Sequence, residues 1–189
     1  MARTAFASVR AMSDSGTETA PAGQPHPRFA EALTALGLSV EVRRFPEATP
    51  TAAQAAAAIG CDLDQIVKSL IFTAWGSSHA PGHEEGVPVL VLMDGASRVD
   101  VERVRAELGA TKVRRADAAL VRETTGYAIG GVPPFGHRTR TTVLADRGIL
   151  AHHTVWAAAG TPHTVFPLDP QTLIAHAGGR VVDVGEQTS

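Results

Sequence analysis

The sequence predicts an α+β domain built on a mixed, mostly antiparallel sheet that curls toward a barrel, with helices flanking it. Three observations carry that prediction. Two apolar runs, 66–75 and 87–93, lack a polar alternate face and read as strands buried on both sides. The remaining strand patterns are short and are interrupted by short helices without regular βαβ spacing. Near the C-terminal end, two strand-like runs flank Gly160-Thr161-Pro162 as a hairpin.

Residues 1–25 are rich in Ala, Ser, Gly, Thr and Pro and are expected to form a disordered tail, leaving 26–189 as a single domain. Arg3 and Arg10, with no acid in 1–12, resemble a targeting peptide only faintly. No continuous apolar core follows them, and Met12 offers a second start. A helix is expected from Arg28 to Leu36, closed by Gly37, with Phe29, Ala32, Leu33 and Leu36 on one face. Val40 and Val42 alternate with Glu41 and Arg43 as a short strand. Thr51 and Gln54 form a capping box before a helix over Ala52–Ile59, which Gly60 stops. The 66–75 strand follows, then a polar loop from Gly76 to Gly86 and the strand Val87–Met93. Asp100 caps a helix to Leu108, stopped by Gly109. Thr111–Arg115 is a strand, Ala116–Thr124 a helix, and Thr141–Ala145 a strand ending at Asp146. The hairpin pairs Val155–Ala158 with Thr164–Phe166. Asp169 and Pro170 start a last helix, and Arg180–Val184 is the closing strand.

Hydrophobic residues make up 44% of the 189 and charged residues 19%, ordinary values for a globular protein. A net charge of −2 excludes a general nucleic-acid coat but leaves room for a local basic patch. Residues 98–122 hold seven basic side chains against four acids, and Arg138 and Arg140 lie further on. A solvated face and a polyanion contact both fit that run. A single cysteine, Cys61, excludes an internal disulfide or a CxxC site. No run reaches the roughly 18 apolar residues of a membrane span, so no membrane partner is expected and the expected location is cytoplasmic.

Two features point to chemistry. Gly130-Gly131-Val132-Pro133-Pro134-Phe135-Gly136-His137 places three glycines and two adjacent prolines in one short segment. Glycine lets a ligand approach the main chain, and proline stiffens the backbone around it. Such a loop suits a polar ligand read by backbone N–H groups at Gly130, Gly131 and Val132, or else simply connects two strands. The second feature is Lys68, on one face of its strand with Ile66, Leu70 and Phe72. A lysine there is costly unless it is paired, opens onto a polar site or snorkels to the strand edge. The chain has only two lysines, Lys68 and Lys112, among 17 basic residues. A compact ammonium at this position is therefore a specific choice.

Other chemistries fit poorly. His79 and His83 are separated by Pro81 and Gly82, His152 and His153 diverge on a strand, and no HExxH or Cys/His cluster exists. No metal and no cofactor are expected. GxSxG, GxGxxG and Walker motifs are absent, and Ser69 sits within a buried strand. One lysine and a stiff backbone loop, with no evident nucleophile, suit an electrophile that is already activated, such as an aminoacyl ester.

Ile66-Val67-Lys68-Ser69-Leu70-Ile71-Phe72, followed by Tyr127-Ala128-Ile129 and the glycine loop through Gly136, resembles the YbaK/EbsC family of aminoacyl-tRNA editing domains, relatives of the insertion domain of bacterial prolyl-tRNA synthetases. The likeness covers roughly residues 28–185. It implies a barrel-like mixed sheet and metal-independent hydrolysis of mischarged aminoacyl-tRNA, with tRNA-Pro carrying a small amino acid as one candidate substrate. It implies Lys68, Gly130 and Gly131 as catalytic groups. Val132, Pro133, Pro134, Phe135, Gly136, His137, Tyr127 and Asp146 are implied as substrate-binding residues. The implied partner is the 3′ end of aminoacyl-tRNA, with an aminoacyl-tRNA synthetase as a second. Pro133 departs from the serine common in the family, which argues against selection through that hydroxyl. A non-catalytic binding or regulatory module of the same fold is the alternative.

Overall fold

The computed structural model describes residues 24–76 and 86–187. Residues 1–23 of the expected 1–25 tail and the loop segment carrying His79 and His83 lie outside the described residues. In chain order the elements are α1 Pro27–Leu36, β1 Arg43–Arg44, α2 Ala52–Ile59, β2 Val67–Trp75, β3 Val87–Asp94, α3 Val101–Leu108, β4 Lys112–Arg115, α4 Ala118–Thr125, β5 Thr142–Asp146, β6 Val155–Ala158, β7 Thr164–Leu168, α5 Pro170–Ala177 and β8 Arg180–Val182.

Five strands form a mixed sheet in the order β4-β2-β3-β5-β8. The β4-β2 and β2-β3 pairs are antiparallel, while β3-β5 and β5-β8 are parallel. A smaller antiparallel sheet, β1-β7-β6, meets it at a parallel bridge between Ile66 and Trp156. The sheet system curls without closing into a barrel.

The central strands are buried on both faces because their apolar residues leave no polar alternate set. On one side Ile71, Leu90 and Leu92 pack with Phe29, Tyr127, Phe135 and Phe166. On the other, Phe72, Val89, Val91 and Met93 pack with Val104 and Leu108 of α3. The capping box of α2 forms as expected, with Thr51 Oγ1 accepting from the Gln54 amide and Gln54 Oε1 accepting from the Thr51 amide.

Three differences from the sequence reading matter. The expected strand over 40–43 shrinks to Arg43–Arg44, because only those two residues pair with β7; Val40 and Val42 instead pack against the core. Helix α4 starts at Ala118, where the Asp117 carboxylate caps the Leu120 amide. A 3₁₀ turn over Arg147–Ala151 follows β5, seeded by Asp146 accepting from the Gly148 amide.

One pairing detail positions the site. Strand β3 pairs with β2 from Val67 to Ala74, but β4 pairs only with Phe72–Trp75. The first half of β2 therefore has an open edge.

Candidate active site

A cleft of about 310 Å³ lies along that open edge. Its walls are the start of α2 (Thr49–Ala55), β2 from Ile66 to Ile71, parts of the loop after Tyr127, and β6 and β7 near Trp156 and Val165. Lys68 and Arg115 are its two cationic lining residues, and no Asp, Glu, His or Cys among the described residues lines it. Most of the remaining lining is apolar. The arrangement favours a ligand with an apolar part and an electron-rich or anionic part.

Lys68 reaches the cleft half-buried, and its ammonium donates to the carbonyls of Gly95 (3.4 Å) and Ser97. That turn is held by Asp94, whose Oδ1 accepts from the Ala96 and Ser97 amides at 3.0 and 2.9 Å. At Gly95 a Cβ would come within 2.2 Å of the Leu63 carbonyl, so the turn needs glycine. Burial lowers the Lys68 pKa; Asp94 opposes this, while Arg115 and Arg98 lower it further. Two of three ammonium donors are committed, leaving one for a ligand.

The strand itself adds a second group. The Ile71 carbonyl accepts from the Ala116 amide at 3.0 Å, so odd-numbered residues of β2 direct their main-chain groups toward β4. By the same alternation Ser69 presents its N–H and C=O to the open edge. Its buried hydroxyl has no hydrogen-bond partner among the described residues.

The glycine loop enters the cleft through Gly130 and Val132, with Ile129 beside them. Gly130 has φ +88°, and a Cβ there would stand 3.1 Å from Pro50 Cα. Lys68 and Gly130, more than sixty residues apart in sequence, thus line one cavity. The Gly131 amide donates to the Ala128 carbonyl at 3.0 Å, and a Cβ at Gly131 would lie 2.8 Å from Thr161 Cα. Gly131 is thereby a packing glycine, and its N–H is not available to a ligand as the sequence reading expected. The amides of Gly130 and Val132 carry no hydrogen bond among the described residues.

The rest of the segment turns inward. Pro133, Pro134 and Phe135 are buried and do not line the cleft. The Pro133 carbonyl accepts from His137 Nε2 at 2.7 Å, and the Tyr127 hydroxyl donates to the Gly136 carbonyl at 2.9 Å. Phe135 stacks on Phe29 with centroids 5.7 Å apart. Burial lowers the His137 pKa, partly offset by the Pro133 contact, which matches a neutral ring donating from Nε2. Burial pushes the Tyr127 phenol upward. Asp146 is equally occupied: Oδ1 accepts from Gly148, and Oδ2 from the Val184 and Gly185 amides at 2.8 and 3.0 Å. Tyr127, Phe135, Gly136, His137 and Asp146 therefore stand outside the cleft, their polar groups used to hold the fold.

Arg115, Ser69 and Trp156 also line the cleft, and none of the three stood out in the sequence as a site residue. Arg115 was visible only as part of a basic run, and Ser69 only as a neighbour of Lys68. Trp156 lines the cleft beneath the Arg43 guanidinium, 4.5 Å from the ring centroid. Among the described residues no group of three His, Cys, Asp or Glu is placed to hold a metal ion. No described helix is long and apolar enough to cross a membrane.

A curled mixed sheet with a lysine-bearing cleft on its open edge makes this an α+β domain with a cationic, largely apolar binding cleft. The sequence model of the aminoacyl-tRNA editing domain matches residues 46–175, and this chain belongs to that family. The matched span contains both Lys68 and the glycine loop. A solved structure described as a candidate trans-editing enzyme for prolyl tRNA synthetase superimposes with a TM-score of 0.76 at 37% identity, covering 87% of this chain and all of that one. The uncharacterized protein YwhH of Bacillus subtilis is 31% identical over 145 residues, which is 76% of this chain and 86% of YwhH. A proline–tRNA ligase of Limosilactobacillus fermentum is 33% identical over 110 residues, 57% of this chain but only 18% of the ligase.

Proposed function

We propose that the protein is a cytoplasmic, trans-acting deacylase that hydrolyses the ester of mischarged aminoacyl-tRNA, and that tRNA-Pro bearing a small amino acid is its substrate. The observation that carries this reading is the shared cleft of Lys68, Gly130 and Val132. The likeness to a candidate editing partner of prolyl tRNA synthetase and to a proline–tRNA ligase supports the choice of tRNA.

In the proposed reaction the aminoacyl group enters beside the open edge of β2. The free donor of Lys68 polarises the ester carbonyl or holds the terminal phosphate. Amides of Gly130 and Val132 stabilise the oxyanion that forms as water adds to the carbonyl carbon. The tetrahedral intermediate then collapses, the C–O bond to the ribose breaks, and the ribose oxygen takes up a proton. No lining side chain is an evident general base, so the water proton leaves through the substrate's own amine or vicinal hydroxyl. The chemistry asks for no metal. Val67, Ile71, Val121 and Val132 bound the space open to the amino-acid side chain, so selection works by volume at about 10–200-fold per methylene.

Deacylation of a panel of misacylated tRNAs tests the reading. Small aminoacyl groups should be released fastest, with graded rates, and large aromatic ones excluded. Release no faster than spontaneous hydrolysis for every member would instead favour a binding module.

A further inference from the structure

The basic run over 98–122 divides in the folded chain. On α3, Arg103 and Arg105 form i,i+3 ion pairs with Asp100 and Glu102, at 3.6 and 2.8 Å. On β4 the cations have no such partners: Lys112, Arg114 and Arg115 make no ion pair and no side-chain hydrogen bond among the described residues. All three are exposed. Lys112 lies over the Trp75 ring at 4.8 Å and Arg115 over Phe72 at 5.8 Å. The charged heads themselves rest on the rings, an attraction that holds each in place while its N–H donors stay open to a solvent-side partner.

The placement of β4 gives that charge a direction. It is one of the two outer strands of the five-stranded sheet, and Arg115 stands opposite Phe72, where pairing stops and the open edge of β2 begins. Arg115 itself lines the cleft. Strand alternation puts Lys112 and Arg114 on one face of β4 and Arg115 on the other with Val113, so the cations flank the strand's outer edge over about 10 Å back from the cleft mouth. A chain of phosphates running along that edge and ending in an esterified nucleotide fits it in charge and direction.

We propose that β4 is the track for the sugar–phosphate backbone of the tRNA 3′ strand, with Lys112 and Arg114 contacting phosphates and Arg115 passing the terminal nucleotide to the cleft. The proposal rests on the deacylase reading for its choice of polyanion, but its test reads binding alone. Contacts of this kind position a nucleic acid without reading its sequence, and they make affinity depend on salt.

Uncharged tRNA, fluorescently labelled, is titrated with the full-length protein at several salt concentrations. Relative to wild type, Lys112→Gln/Arg114→Gln should weaken binding on the order of tenfold at low salt. It should also flatten the slope of log affinity against log salt by about 1.5. Arg103→Gln/Arg105→Gln removes the same formal charge from paired helix positions and should leave the slope unchanged. Lys112→Arg/Arg114→Lys, which keeps the charge, should bind like wild type. Equal losses in the strand and helix variants would overturn the track, as would no loss in the strand variant or no binding of tRNA by wild type. The last two outcomes would point to an acidic protein surface as the occupant of β4. Because turnover is not measured, a failure of deacylation leaves this result standing, and the reverse also holds.

Discussion

The two halves of the glycine–proline segment make opposite use of similar residues. Ile129, Gly130 and Val132 line the cleft, and the amides of Gly130 and Val132 are unbonded among the described residues. Across Pro133–His137, the carbonyls of Pro133 and Gly136 are bonded by His137 and Tyr127, and Phe135 lies in the aromatic core. A backbone loop can stabilise a reacting oxyanion only if it does not move when charge develops. The inner half supplies that rigidity and the outer half supplies the donors. Residues that look like one binding motif are thus a binding edge and its anchor.

The comparison can be broken in order of expected effect. Lys68→Ala, which strips the cleft of its ammonium, should lower deacylation by roughly 10²-fold or more while a cooperative unfolding transition persists. Lys68→Arg should fail as well, because a planar guanidinium does not reproduce the compact group held by the Gly95 and Ser97 carbonyls. Wild-type rates in both would return Lys68 to a purely structural role. Gly130→Ala forces a side chain into the left-handed region beside Pro50, a strain of about 1–3 kcal/mol, and should cost about tenfold in kcat/KM.

On the anchoring side the sign reverses. Tyr127→Phe leaves the Gly136 carbonyl unpaired and should cost about 1–3 kcal/mol of stability, seen as a lower Tm, with activity of the folded protein within about twofold of wild type. A large activity loss at unchanged Tm would show that the phenol serves the substrate instead. The smallest effect is that of pH on stability. Burial lowers the pKa of both His137 and His26 from the ordinary 6.5, so the unfolded chain takes up protons before the folded one does. Their contribution is complete above pH 6.5 and is lost as pH falls below it toward the folded values. Thermal melts between about pH 7 and 5 should show this decline, and His137→Gln should reduce it.

Much of the scaffold was legible because it is encoded locally. The Thr51–Gln54 capping box, the doubly buried 66–75 and 87–93 runs, and Gly37, Gly60 and Gly109 as helix stops each depend on neighbours within a few residues. Lys68 was legible for a related reason: a lone ammonium in an apolar strand conflicts with its surroundings. The roles within the glycine loop were not legible. Gly131 is spoken for because Thr161 lies against it and Ala128 takes its N–H, and only the tertiary fold brings Thr161 there. Asp146 reads as a binding carboxylate until Val184 and Gly185, nearly forty residues later, are found on its second oxygen. The open edge of β2 is a matter of register, since β4 stops at Phe72, and no periodicity in the strand reveals it.

The claim that the aminoacyl end sits between β2 and the outer half of the loop is tested most directly by amide NMR. The ¹⁵N-labelled protein is titrated with a non-hydrolysable 3′-aminoacylamino-adenosine carrying a small side chain. The account predicts that the amides of Ser69, Gly130 and Val132 shift in a saturable way, while Gly131, committed to Ala128, shifts least within the loop. Shifts centred instead on Tyr127, Gly136 and His137, with Ser69 and Gly130 unmoved, would contradict it.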